Sequence, residues 1–297
     1  MSTVLAPVPA FCSGIRECLG DAELADFDAL ADELIGIERL GVAYSGGVDS
    51  ALLLAVAAEI IGRDRVVALL GVSPSLAASE RRIARDVAAR IGVELVEFDP
   101  GESELAGYRA NGLDRCFFCK SALFTAIDER IVAEHDLDAV AYGENIDDSV
   151  RPDRPGSRAA REHRVLAPLA AAGLTKPRIR ALARAFDLPV ADKPAAPCLA
   201  SRIPHGEEVT PEKLRQVEDA ESVVRAQGFS DCRVRHHGSV ARIEVPEAEL
   251  ARVLDPAVRR SLIRGVREAG FLHVAFDLAG LQSGLFSLTL LEEAPRD

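Results

Sequence analysis

Leu40-Gly41-Val42-Ala43-Tyr44-Ser45-Gly46-Gly47-Val48-Asp49-Ser50, running on into the apolar residues Ala51 to Val56, is the stretch on which the fold turns. Leu40 to Tyr44 is short, apolar and flanked by charge and glycine, the pattern of a buried strand. From Ser50 to Ile61 the spacing predicts a helix. Between the two lies Ser-Gly-Gly. Glycines lack a Cβ, so the backbone turns sharply there and closely approaches an anion. N–H groups at the helix start and the hydroxyls of Ser45 and Ser50 supply donors. Strand, glycine loop and helix start coincide, as a phosphate-binding loop requires; the bland alternative is an ordinary tight strand-to-helix turn. Asp49 either helps to hold Mg²⁺ on the phosphates or caps the helix beside Ser50.

Outward from this loop the same alternation continues. Val66 to Val72, Val93 to Phe98 and Ala139 to Tyr142 read as further buried strands, separated by helical patterns at about Ser79 to Ile91 and Cys119 to Glu134. The order βαβα predicts an α/β fold with a mostly parallel sheet. Arg151 to His163 reads as a loop, Lys176 to Phe186 as a helix, and Pro189 to Pro197 as irregular chain. Beyond Pro204 the pattern becomes helix (Pro211 to Gln227), two strands (Cys232 to His236, Val240 to Val245), helix (Pro256 to Ala269) and strand (Phe271 to Asp277). Two domains are therefore expected: a nucleotide-binding domain over residues 1–200 and a small α+β domain over 201–297.

Bulk composition narrows the partners. Among 297 residues, 48% are hydrophobic and 28% charged, which is globular composition, and the net charge of −12 argues against a nucleic-acid partner. No long apolar run suggests a membrane span, and Met1 to Gly14 lacks the features of a signal peptide, so the expectation is a cytoplasmic protein. Six cysteines (Cys12, Cys18, Cys116, Cys119, Cys198, Cys232) in such a chain are expected as thiols rather than disulfides.

The four lysines (Lys120, Lys176, Lys193, Lys213) all lie outside the loop, so the Walker-type lysine is missing. Ser45-Gly46-Gly47-Val48-Asp49-Ser50 instead resembles the PP-loop signature, whose members hold the pyrophosphate of ATP and transfer AMP. Cys116-Phe117-Phe118-Cys119 stands just before a predicted helix. Taken alone it fits a redox pair, half a zinc site, two iron–sulfur ligands or merely two reduced thiols. Cys198 lies in a similarly loop-like setting.

Taken together, these segments resemble the LarE family of sulfur transferases over nearly the whole length. The likeness rests on SGGVDS (45–50), RCFFCK (115–120), GENIDD (143–148), RPGSRAARE (154–162), GLTKPRIR (173–180), DKPAAPCLASRIPHG (192–206) and RVRHHGSVARIEV (233–245). The resemblance implies that ATP with Mg²⁺ adenylates a carboxylate of a pyridinium dicarboxylate mononucleotide, after which sulfur displaces AMP to leave a thiocarboxylate. Sulfur comes either sacrificially from Cys198, leaving dehydroalanine, or from a four-iron [4Fe-4S] cluster held by Cys116, Cys119 and Cys198. The presence of all three cysteines favours the cluster version. Ser201, Arg202 and Arg233 or Arg235 are candidates for the substrate phosphate and second carboxylate, and Glu221 and Glu244 for a divalent metal; solvated or ion-paired side chains are the alternative at each. His236 and His237 read as a local hydrogen-bonding pair, and Cys12, Cys18 and Cys232 as inert. The family also implies a homo-oligomer. One departure is that Gln282-Ser283-Gly284-Leu285 stands where the family pattern has an Arg followed by Ser-Gly-Ser, and Gln is no cationic clamp. Rival readings are a tRNA-thiolating enzyme, an amide-forming enzyme of the same class, and a module that senses ATP without turning it over.

Overall fold

Residues 15–149 and 155–281 are described by the structure, a computed structural model. Cys12, Gln282 and Leu285 lie outside the described residues. The chain divides into two compact units: one drawn from residues up to Glu102 and from Cys116 to Ala196, the other from Ser103–Arg115 and from Pro197 onward. The sequence boundary near residue 200 falls close to this second start, but nothing in the sequence reading assigned 103–115 away from its neighbours.

In the first unit α1 (Asp21–Asp32) precedes β1 (Leu40–Ala43), α2 (Val48–Ile60), β2 (Val66–Gly71), α3 (Ala78–Ile91), β3 (Glu94–Phe98), α4 (Arg115–Ala126), β4 (Ala139–Tyr142), α5 (Pro155–Glu162) and α6 (Lys176–Ala185). The strands form one parallel sheet in the order β3-β2-β1-β4. Helical crossovers cover both of its faces, which is why β1, β2 and β4 are apolar without alternation, while edge strand β3 carries Glu94 and Glu97. Leu40, Val42, Val66, Ala68 and Leu70 pack into one cluster with α1, α2, α3 and α6. Ala43, Val67, Leu69 and Tyr142 join Phe124, Ile127 and Ala159 in the other. Nearly every residue of α2 is buried, from Val48 to Ala58, so this helix is a central pillar rather than a surface amphipath. Because β1 pairs with β2 on one side and β4 on the other, a crevice opens beyond the carboxyl ends of β1 and β4, where open α/β sheets bind ligands.

Two local expectations are corrected. Residues 155–162, read as loop, form α5: proline at a helix start hides the signal, while Arg-Ala-Ala-Arg-Glu is a good helix former. The pair Cys116 and Cys119 lies within α4, which starts at Arg115, rather than before it.

The second unit holds α7 (Pro211–Ala226), β5 (Arg233–His237), β6 (Val240–Glu244), α8 (Pro256–Glu268) and β7 (His273–Phe276). Both helices start in the way their sequences specify, with proline in the first turn and Thr210 or Asp255 accepting a backbone N–H as cap. β5 and β6 are an antiparallel hairpin, and β7 pairs parallel to β6. Among the described residues no helix is long and apolar enough to cross a membrane.

One ion-pair cluster fastens α3 to β3. Arg81 and Arg85, one turn apart, both hydrogen-bond Glu97, and these contacts pull its carboxyl down to about 2. A carboxyl whose folded value is depressed stabilises the fold above its unfolded value of about 4.3, and that stability is lost as pH falls through the folded value. Glu97→Gln is expected to lower Tm at pH 7, with the gap from wild type closing between about pH 4 and pH 2; thermal melts across pH check it.

Candidate active site

The glycine loop occupies the crevice. Gly46 has φ +72°, and a Cβ there would stand 2.8 Å from that of Ala84 on α3, so glycine is required for conformation and for space. Gly47 is the N-cap of α2 and its carbonyl accepts from Ala51 N at 2.9 Å. The two serines knit the loop: Ser50 Oγ accepts from Ser45 N at 3.2 Å, lies 3.2 Å from Ser45 Oγ and donates to Gly47 O at 3.1 Å. The first-turn N–H groups of α2 have no intrahelical acceptors and are available to an anion.

Across the crevice β4 ends against this helix. A Cβ on Gly143 would fall 2.7 Å from Ser50 N and 2.9 Å from Asp49 C, so only glycine lets the two backbones meet. Ala43, Tyr44, Ser45, Gly47, Asp49 and Ser50 after β1, Tyr142 and Gly143 after β4, and Lys120, Leu123 and Phe124 of α4 line a cavity of about 160 Å³. Lys120 Nζ sits 4.3 Å from the Tyr142 ring centroid. The Tyr142 hydroxyl donates to Glu144, which also accepts from Ser157; burial first and this carboxylate second push the phenol up.

Asp49 does not cap α2, whose N-cap makes no side-chain bond. Its Oδ2 accepts from Lys176 Nζ at 2.5 Å, while Oδ1 is buried with no hydrogen-bond partner. Lys176 is itself placed by Asp147 of the GENIDD segment, whose carboxylate accepts Lys176 N at 2.8 Å at the start of α6. A buried carboxylate oxygen left open beside a phosphate loop suits a hard cation that completes its shell with phosphate oxygens and water. The sequence reading passed over Lys176, Gly143 and Tyr142. GLTKPRIR and GENIDD were the available signals, but neither states which cavity it serves.

In the second unit, exposed Cys198 precedes a 3₁₀ turn, Leu199–Arg202. Arg202 is buried: its Nε donates to Glu221 at 2.8 Å and its Nη1 to Pro197 O at 2.8 Å, Cys198 O at 3.4 Å and Ser201 Oγ at 2.9 Å. Arg235 pairs through two nitrogens with Glu244, each at 3.0 Å, and reaches Ser201 O at 2.9 Å. Burial, then the charges of Arg202 and Arg235, hold the Arg233 guanidinium below its usual range. Arg233 thus lies within electrostatic reach of two other guanidinium groups, which favours an anion beside it. Glu221 also accepts from Arg225 and Val234 N, and Glu244 pairs with Arg242. Among the described residues no three His, Cys, Asp or Glu side chains are gathered to hold a metal ion.

Cys116 is exposed and Cys119 half-buried, three residues apart and so on one face of α4. Cys232 is buried, and burial ahead of Glu221 pushes its thiol up to about 12. Neighbours on a strand point to opposite faces, and His236 Nε2 bonds Gln216 Oε1 at 3.2 Å while His237 is exposed.

A parallel sheet with a Ser-Gly-Gly loop at its switch point and no Walker lysine defines a PP-loop enzyme, which uses ATP. Residues 27–124 match the asparagine synthase family model. Over 263 residues the chain is 32% identical to the pyridinium-3,5-bisthiocarboxylic acid mononucleotide synthase of Lactiplantibacillus plantarum, covering 88% of this chain and 93% of that protein. It is 39% identical to an uncharacterized protein of Synechocystis over 254 residues, 86% of this chain and 94% of that one. The chain belongs to the LarE family, that of the Lactiplantibacillus synthase.

Two substitutions test the crevice. Gly143→Ala drives a methyl into the α2 backbone and is expected to destabilise the fold by about 1–3 kcal/mol, as overpacking does, and to weaken ATP binding; melting and titration calorimetry check both. Lys176→Met, with half-exposed Lys176 already at the crevice, is expected to leave Tm within a few degrees while cutting ATP-dependent pyrophosphate release about tenfold or more.

Proposed function

We propose that this chain is an ATP-dependent sulfur transferase that converts a carboxylate of a pyridinium dicarboxylate mononucleotide to a thiocarboxylate. What carries the reading is Cys198: an exposed thiol on a turn whose carbonyls are held from beneath by buried arginines, in a chain of the LarE family. An amide-forming enzyme or an ATP-sensing module has no need of a presented thiol.

ATP binds with its phosphates over Ser45 to Ser50, the loop N–H groups and hydroxyls donating hydrogen bonds to the phosphate oxygens. Mg²⁺ held by Asp49 Oδ1 would neutralise the phosphates and sharpen the electrophilicity of the α-phosphorus. Lys176, paired with Asp49, places a second positive charge where pyrophosphate departs. A substrate carboxylate oxygen attacks the α-phosphorus, the bond to the bridging oxygen breaks, and pyrophosphate leaves an acyl adenylate. The Cys198 thiolate then attacks the acyl carbon and AMP leaves, giving a thioester. Loss of the Cα proton and cleavage of the Cβ–Sγ bond release the thiocarboxylate, with dehydroalanine at 198. Arg202, Arg233, Arg235 and Ser201 bind the substrate phosphate and its second carboxylate. Glu221 and Glu244 would take a divalent ion only by giving up their guanidinium partners.

The cluster version is favoured by the placing of Cys116 and Cys119 on one face of α4. In that version the sulfide comes from iron held by Cys116, Cys119 and Cys198, and in the sacrificial version from Cys198 itself, so Cys198 serves in either. The substrate is a small molecule, and a cytoplasmic homo-oligomer is the proposed setting.

The test combines pyrophosphate release with mass spectrometry. Release that depends on the pyridinium substrate, with loss of H₂S from the peptide carrying Cys198, is the expected outcome. Release driven by tRNA or ammonia, or none at all, would sink the reading. Iron and acid-labile sulfide in anaerobically prepared protein that vanish in Cys116→Ser would instead establish the cluster as sulfur source.

A further inference from the structure

Residues 103–115 interrupt the first unit's sequence and pack in the second. What they do there concerns the Cys198 turn. Asn111 is fully buried and holds φ +55°, a left-handed conformation that is uncommon outside glycine and is kept where neighbours over-determine it. Its Nδ2 donates to Ile203 O at 3.3 Å and Pro204 O at 2.7 Å, while its own carbonyl accepts Gly206 N at 3.1 Å. Its Oδ1 accepts from Arg115 Nη1 at 2.5 Å, and the same nitrogen donates to Ala200 O at 2.9 Å.

Arg115 differs from Arg202 and Arg235. Arg202 and Arg235 each face a carboxylate, whereas Arg115, also buried, has as partners a neutral amide oxygen and a main-chain carbonyl. Burying a guanidinium without a counter-charge is costly, and a structural hydrogen bond to a carbonyl does not need a charge. Together with Arg202 at Pro197 and Cys198 and Arg235 at Ser201, the clamp engages the carbonyls of 197, 198, 200, 201, 203 and 204. The turn is therefore fixed through its backbone, and the Cys198 side chain takes no part in holding it.

We infer that Arg115, set by Asn111, is a positioning residue for the Cys198 turn: it orients the backbone that presents the nucleophile to the acyl adenylate. This rests on the sulfur-transferase reading for its role in turnover. It also has a consequence for the spent protein, since a turn held by carbonyls keeps its shape when Sγ is gone.

The experiment compares wild type with Arg115→Met, which keeps the apolar stem, Arg115→Lys, which keeps charge and a donor, and Cys198→Ala. Amide hydrogen exchange is followed by mass spectrometry, with substrate-dependent ATP–pyrophosphate exchange and thiocarboxylate formation measured beside it. Arg115→Met is expected to speed amide exchange about tenfold or more over residues 199–206 while β5 and β6 stay protected. Its thiocarboxylate formation is expected to fall roughly ten- to a hundredfold, as for a misplaced reacting group, with ATP–pyrophosphate exchange retained. Arg115→Lys should restore most of both, and Cys198→Ala should leave amide exchange at 199–206 as in wild type. Unchanged amide exchange at 199–206 in Arg115→Met, protection lost equally across β5 and β6, or pyrophosphate exchange falling in step with transfer overturns the inference. Wild type that makes no thiocarboxylate would defeat the functional reading instead, leaving the amide-exchange pattern to decide the clamp.

Discussion

The first unit depends on one close approach of backbones, that of Gly143 at the end of β4 against Asp49 and Ser50 at the start of α2. Everything in the ATP crevice follows from it. With no side chain between them, two strand ends converge on one helix N-terminus, whose N–H groups and partial positive charge are brought to a point. Gly46 makes the matching contact with α3, so the loop is held between two helices and a strand, and its anion-binding shape needs no ligand to form it. Preorganisation of this kind would serve the proposed adenylation, because donors that need not reorganise stabilise developing charge most strongly.

The second unit uses a different device around exposed Cys198. An exposed thiol has little packing of its own to hold it, and a loop with unsatisfied carbonyls would be costly to bury. Guanidinium groups solve both problems: Arg202, Arg235 and Arg115 reach the carbonyls of the turn from the interior, while Glu221 and Glu244 neutralise two of the three. The side chains read as substrate ligands from sequence are therefore structural partners too. A substrate anion would add to a network that already exists rather than organise one.

Much of the crevice was legible because its chemistry is contiguous. Ser45, Gly46, Gly47 and Ser50 declare a strand–loop–helix motif suited to phosphate within six residues, and the apolar runs of β1, β2 and β4 declare a sheet covered on both faces. Cys198 stood out through its proline-rich setting, and the helix–strand order after residue 204 announced a separate α+β unit. Less legible were features whose sequence signal is ambiguous: α5 is masked by proline and glycine, and the start of α4 by cysteine and phenylalanine, which carry weak helix preference.

What the sequence by itself determined, then, was the set of local conformations: where the chain turns, which runs are buried, and which short motif offers its N–H groups to phosphate. Only the tertiary structure decided the partnerships. Lys176 meets Asp49 across 127 residues, Arg115 meets Ala200 across 85, and residues 103–115 leave the unit that flanks them in sequence. The physical reason is range. Backbone preference and burial periodicity act over a few residues and leave their mark there, whereas an ion pair or a clamped carbonyl between distant segments is chosen by the packing of the whole chain.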